Sequence, residues 1–191
     1  MADLCPEATF SKYPNSSDER EYLPIYDGDE FAVEGAKITA VHTPGHTTDH
    51  IAFMSDTGDL FTGDSVLGQG TAVFESLVTY IASLKKQLNL NPSTIYPGHG
   101  PIVERATEKI QEYITHRQQR EDEIVKILAD SAEEALVTPR DIVKVIYARY
   151  PESLWPAAEK GIILHLEKLK EEGKSREVER GKWALTTRPS R

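Results

Sequence analysis

The chain is poor in the residues that staple, anchor or export a protein. Its 191 residues include one cysteine, Cys5, so no internal disulfide can form and a reducing compartment is the default expectation. No apolar run approaches the ~18 residues that a membrane helix needs, and no membrane partner is expected. The N-terminal Met1-Ala2-Asp3-Leu4-Cys5-Pro6-Glu7 lacks the basic start and apolar stretch of a secretory signal. It is also unlike a mitochondrial presequence, because Asp3, Glu7, Asp18 and Glu19 are acidic and the first arginine is Arg20. Histidine is scarce: there are six, and the first is His42.

What is present divides by charge. The net charge is −9, but residues 1–136 hold 10 Lys+Arg against 23 Asp+Glu, whereas residues 137–191 hold 12 against 8. An acidic body with a basic tail implies two functional units. The acidic body alone would not attract nucleic acid; the basic tail is the part that could. Residues 1–22 are polar and aperiodic and read as a loose leader.

Strands are expected at Glu30–Val33, Lys37–His42, Ile51–Ser55, Leu60–Thr62 and Thr94–Tyr96, punctuated by Gly and Pro turns. Phe74, Leu77, Val78, Ile81, Leu84 and Leu88 have the spacing of an amphipathic helix. A second, long helix is expected from Val103 to about Ala129. This order implies an α/β layered fold. Thr138-Pro139-Arg140-Asp141 is a helix start, and Pro151 stops that helix after Tyr150. A last helix, about Pro156–Glu172, is closed by Gly173 and followed by a hairpin over Lys174–Leu185. Helix, helix and hairpin make a winged-helix-like architecture. The boundaries are a leader at 1–22, a domain at 23–130 and a second domain at 131–191.

The chemistry lies in three strand-end turns: Thr43-Pro44-Gly45-His46-Thr47, Thr62-Gly63-Asp64 and Tyr96-Pro97-Gly98-His99-Gly100. Imidazole nitrogen and carboxylate oxygen are the donors that Zn²⁺ takes in hydrolytic sites. Two such ions about 3.5–4 Å apart share a nucleophilic hydroxide and clamp a phosphoryl group. Each pair alone is an ordinary turn; the three in this order are a specific combination. His50 has two readings, orienting a ligand or substrate beside His46 or capping the next strand. His116, in a polar run, reads as a solvated helix face. His165 reads as partly buried. Lys168, Lys170, Lys174, Arg176, Arg180 and Lys182 either form a solubilising surface with the neighbouring glutamates or contact phosphate.

These motifs resemble the metallo-β-lactamase superfamily, and within it an animal branch of single-stranded-RNA endoribonucleases. Gly45–His50, Gly63–Thr71, Ile95–Pro101 and the tail after Glu121 carry the resemblance, which covers roughly residues 23–186. It implies the C-terminal part of an αββα sandwich followed by a small winged-helix-like domain. It implies that His46 binds a first zinc, His99 a second, and Asp64 bridges them, with Asp64 and His50 as the catalytic candidates. It further implies two zinc ions, a hydroxide nucleophile, single-stranded RNA as substrate and the mitochondrial matrix as compartment. A lost targeting segment would leave the chain cytoplasmic.

The family opens its site with a His-x-His-x-Asp-His cluster, and this sequence has none. The chain is therefore expected to be N-terminally truncated, weak in zinc, poor in turnover by itself and prone to self-association through unpaired sheet edges. Two other functions compete: a non-catalytic module that binds nucleic acid or protein, and a thioester hydrolase of the glyoxalase II type.

Overall fold

A computed structural model of the chain describes residues 9–14, 22–131 and 136–186. It divides into two compact units, residues 1–114 and 115–191. The first is built on a five-stranded sheet: β3 (Glu30–Val33), β4 (Ala36–His42), β5 (Ile51–Ser55), β6 (Asp59–Gly63) and β7 (Thr94–Pro97), in that spatial order. β3 through β6 form an antiparallel meander, and β7 joins β6 in parallel after a crossover through α1 (Leu77–Asn89).

Side chains alternate across a sheet, so pairing register assigns its faces. One face carries Val41, Ala52, Leu60 and Ile95, all buried. With Leu77, Tyr80 and Leu84 of α1 and Ile110 and Tyr113 of α2 (Ala106–Asp130), these make the core of the unit. The opposite face carries Phe31, Phe53, Phe61 and Tyr96. Phe61 stacks on Tyr96 and Phe31 meets Phe53 edge-on, yet Phe31, Phe61 and Tyr96 stay exposed.

The leader is not loose where it is described. β1 (Ser11–Lys12) pairs in parallel with β2 (Leu23–Pro24). Lys12 bonds Asp49 at 2.9 Å, and Tyr13 stacks flat on His42 at 3.8 Å. Burial alone would raise the Asp49 pKa, but hydrogen bonds from Lys12 and Thr47 outweigh it and hold the carboxyl at about 2. Polar composition misled here because the contacts are an ion pair and a ring stack, which leave no periodic apolar signal.

The second unit begins inside α2, not after residue 130. Ile124 and Leu128 of that helix share one core with Ile142, Val143, Ile162, Leu166, Leu169 and Trp183. α3 (Pro139–Ile146) starts with a full capping box, in which the Thr138 and Asp141 side chains each accept from the other residue's backbone N–H. It ends four residues before the expected Tyr150, as Tyr147 leaves helical geometry. A short 3-10 turn leads into α4 (Trp155–Glu171), then β8 (Ser175–Glu179) and β9 (Lys182–Leu185) form the wing. Among the described residues no helix is long and apolar enough to cross a membrane.

Candidate metal centre

Strand direction builds the site. β4, β6 and β7 run the same way, so the turns after them emerge at one end of the sheet. Those turns carry His46, Asp64 and His99. His46 Nε2 lies 3.7 Å from Asp64 Oδ2, and His99 Nε2 lies 3.5 Å from Asp64 Oδ1. Each imidazole thus faces a different oxygen of one carboxylate. His99 is the most open of the three, with its side chain 75% exposed.

Close packing holds the loops. Gly98 N–H donates to Gly63 O at 2.8 Å, and Gly68 N–H donates to His99 O at 3.0 Å. A Cβ on Gly98 would stand 2.7 Å from Asp64 Oδ1. Gly45, at φ +135°, lies so close to α1 that a Cβ would meet Tyr80 Cα at 2.4 Å. Glycine is required at both places because nothing larger fits.

The donor set suits a divalent ion. His46 Nδ1 sits 2.7 Å from Val73 O, so Nδ1–H donates and Nε2 is the acceptor in the neutral ring. In that tautomer the ring presents a lone pair to a carboxylate oxygen, an arrangement that a cation between them relieves. The set is also small: each Asp64 oxygen meets one imidazole. Among the described residues no group of three or more His, Cys, Asp and Glu side chains is placed to hold a single ion. Four-coordinate zinc needs more protein donors than this.

His50 lies behind the centre. Its Nδ1 meets Thr43 Oγ1 at 2.8 Å, and its ring stands edge-on to His46 at 6.1 Å. Burial lowers its pKa, the neighbouring His46 adds to that, and Asp64 and Asp49 oppose. His42 lies apart from the centre, with Nε2 3.0 Å from Thr48 O. His116 is exposed.

Sequence reasoning missed the polar residues beneath the site: Thr62, Ser65, Tyr80, Ser83 and Gln87 are all buried. α1 turns Leu77, Tyr80, Ser83, Leu84 and Gln87 inward, whereas Val78, placed on the apolar face by its hydrophobicity, is exposed. Tyr80, Ser83 and Gln87 recur at helical spacing, the signal that would have revealed this face.

In the second unit the basic tail is largely self-neutralised. Lys168 bonds both oxygens of buried Glu121, at 2.9 and 2.8 Å, and also pairs with Glu172. Lys174 pairs with Glu172 at 2.7 Å, Lys182 with Glu179 at 2.7 Å and Lys170 with Glu177 at 3.8 Å. Arg176 and Arg180 are exposed. His165 is fully buried, with Nδ1 3.9 Å from Glu121 and no hydrogen-bond partner for that nitrogen among the described residues.

Comparison with known proteins identifies both parts of the chain. The Metallo-beta-lactamase superfamily matches residues 4–99, and the Beta-lactamase associated winged helix domain matches residues 138–183. A Beta-lactamase-like protein 2 homolog of Drosophila melanogaster is 45% identical over 91% of this chain and 56% of its own length. The Caenorhabditis elegans homolog is 43% identical over 78% and 50%. An Atrochrysone carboxyl ACP thioesterase of Aspergillus fumigatus is 36% identical over 75% and 47%. The chain thus spans about half the length of the curated relatives it matches. A Beta-lactamase domain protein from Burkholderia ambifaria shares the fold, with a TM-score of 0.75 at 21% identity, over 86% of this chain and 52% of that one. A metallo-beta-lactamase family protein from Thermus thermophilus does so at 0.71 and 23% identity, over 87% and 55%.

Proposed function

Because the chain belongs to the metallo-β-lactamase superfamily, whose members are generally hydrolases, we propose that it carries the second half of a zinc-dependent endoribonuclease site that cleaves single-stranded RNA. The observation that carries this reading is the placing of His46 and His99 against opposite oxygens of Asp64. His46 and Asp64 would hold one zinc, His99 and Asp64 the other. Bound there, zinc would supply Lewis-acid polarisation of a phosphoryl oxygen and raise the acidity of water.

The chain's own residues fix the donors. Val73 O sets the His46 tautomer, the Gly98–Gly63 bond keeps the Asp64 and His99 loops in register, and His50 backs the His46 turn. Two ligands per ion hold it poorly, so zinc binding is micromolar or weaker and turnover by this chain alone is slow. The RNA substrate rests on the resemblance and on the winged-helix unit, with exposed Arg176 and Arg180 as its outward-facing charges. The mitochondrial matrix is the proposed compartment on the same ground, and organelle fractionation tests it.

A thioester hydrolase is the second reading. It is favoured by the 36% identical relative named as a thioesterase, and by the ion pairs that consume most of the tail's lysines. The deciding experiment offers zinc-loaded protein a single-stranded RNA and an acyl thioester in parallel, alone and with a fragment spanning the first half of the Drosophila relative. RNA cleavage that Asp64→Ala and His99→Ala abolish and His116→Ala leaves intact supports the proposal. Thioester cleavage alone replaces it. RNA binding without turnover in either sample makes the chain a binding module.

A further inference from the structure

The polar stripe on α1 touches both loops that carry the first two candidate ligands. Ser83 Oγ–H donates to Pro44 O at 2.7 Å, two residues before His46. The backbone N–H of Glu75, just before the helix, donates to Gly45 O at 2.7 Å. On either side of Ser83, Tyr80 and Gln87 reach the other loop. Tyr80 O–H donates to Ser65 O at 2.7 Å, and Gln87 Nε2–H donates to Ser65 Oγ at 3.1 Å. Ser65 Oγ–H in turn donates to Thr62 O at 2.8 Å. Asp64 lies between Thr62 and Ser65, so its backbone is bracketed on both sides.

The side-chain donors are all buried, and burying a hydroxyl or amide costs about 1–3 kcal/mol unless it is hydrogen-bonded. An apolar stripe would fill the same helix face without that cost. Leu77 and Leu84 show that the face accepts leucine. Ser83 and Tyr80 are directed instead to the carbonyls of Pro44 and Ser65, and Gln87 to the Ser65 hydroxyl; the His46 and Asp64 loops that these belong to share no backbone hydrogen bond with each other among the described residues.

We propose that Tyr80, Ser83 and Gln87 are positioning residues: α1 acts as a rigid ruler that sets the spacing between His46 and Asp64. The inference rests on the metal-site reading above but concerns residues that do not touch the ion. Side chains that orient metal ligands change affinity by about 10–100-fold. These act one residue further away, through the backbone, so each is expected at the lower end, about tenfold.

The test uses the full chain with Zn²⁺ itself as probe. Zinc affinity is read by competition with a chromophoric chelator, the unfolding temperature by circular dichroism, and the ring signals of His46 and His99 by NMR without metal. Tyr80→Phe and Gln87→Leu are expected to weaken zinc about tenfold and to move the His46 ring signals. Leu84→Val, on the same helix face without a polar contact to either loop, is expected to lower the unfolding temperature and leave zinc affinity and ring signals unchanged. Tyr80→Phe alone decides the matter if Gln87→Leu does not fold. The proposal is overturned if Tyr80→Phe merely lowers the unfolding temperature, as Leu84→Val does. If wild type binds zinc no better than Asp64→Ala, the metal reading fails, and the metal-free ring signals still decide whether α1 positions the loops.

Discussion

The two faces of the five-stranded sheet both carry large apolar side chains but differ in how far these are buried along β6 and β7. Leu60 and Phe61 are neighbours on β6; Leu60 is 0% exposed and Phe61 42%. The same holds on β7, where Ile95 is buried and Tyr96 exposed. Hydrophobicity therefore does not set burial here; cover does. One face has α1 and α2 residues in its core; on the other the leader covers β4, where Tyr13 stacks on His42 and Ala40 is buried, while Phe61 and Tyr96 stack on each other in the open. Exposed apolar surface of this kind marks a surface that associates.

The sharpest way to break that comparison is to truncate the two neighbours. Leu60→Ala is expected to cost about 2–5 kcal/mol, as buried leucines do, and Phe61→Ala below about 1 kcal/mol. Chemical denaturation of both variants checks it, and equal losses would mean that the aromatic face is covered in solution. Next in size is Gly98→Ala, at the sheet end where both faces stop. Its Cβ would press on Asp64 Oδ1 and on the Gly63 backbone, so zinc affinity should fall about tenfold, near 1.4 kcal/mol, together with some loss of stability. Chelator competition reads that change.

The winged-helix unit sharpens the comparison, because it buries charge where the sheet exposes rings. Burial lowers the His165 pKa below 6.5, with Glu121 opposing and Arg117 and Arg120 reinforcing. The folded state then resists protonation, so this stability is present above pH 6.5 and lost as pH falls below it. Burial would raise the Glu121 pKa, but the neighbouring His165 and Lys168 outweigh it and lower the pKa below 4.5. That contribution is present above pH 4.5 and lost as pH falls further. Both signs agree. Thermal stability should weaken from about pH 7.5 to about 5.5, and His165→Leu should flatten that stretch and also shrink the drop below about pH 4.5, because His165 helps to lower the Glu121 pKa.

The smallest expected effect is on association. Phe61→Ser with Tyr96→Ser should lower the sedimentation-measured fraction of self-associated chain without lowering stability by more than about 1 kcal/mol. An unchanged fraction would move any interface to the β3 edge.

Legibility followed the same divide. The strands and the three strand-end turns were readable because alternation and Pro-Gly punctuation are local. The face of α1 was readable in part: Leu77 and Leu84 are buried as expected, but Val78 is exposed. Ser83 and Gln87, whose polarity gives no hydrophobic signal, are buried instead by hydrogen bonds to loops far along the chain. Residues 103–105 looked helical, but Val103 forms a bridge to Ile95 and the helix waits until Ala106. The unit boundary was misplaced for a related reason: α2 is one continuous helix in sequence, and only its packing shows that Ile124 belongs to the later core.

The bond from Gly68 N–H to His99 O ties the loop after Asp64 to the loop of the third candidate ligand. Neither loop can swing out without releasing that amide. Hydrogen exchange at this one position is therefore a clock for the opening of both. An amide that exchanges only on global unfolding describes a mouth that never gapes. One that exchanges faster describes a mouth whose two lips part together, and its rate sets the upper limit on how often a third donor, or a long polymer, can slip between them.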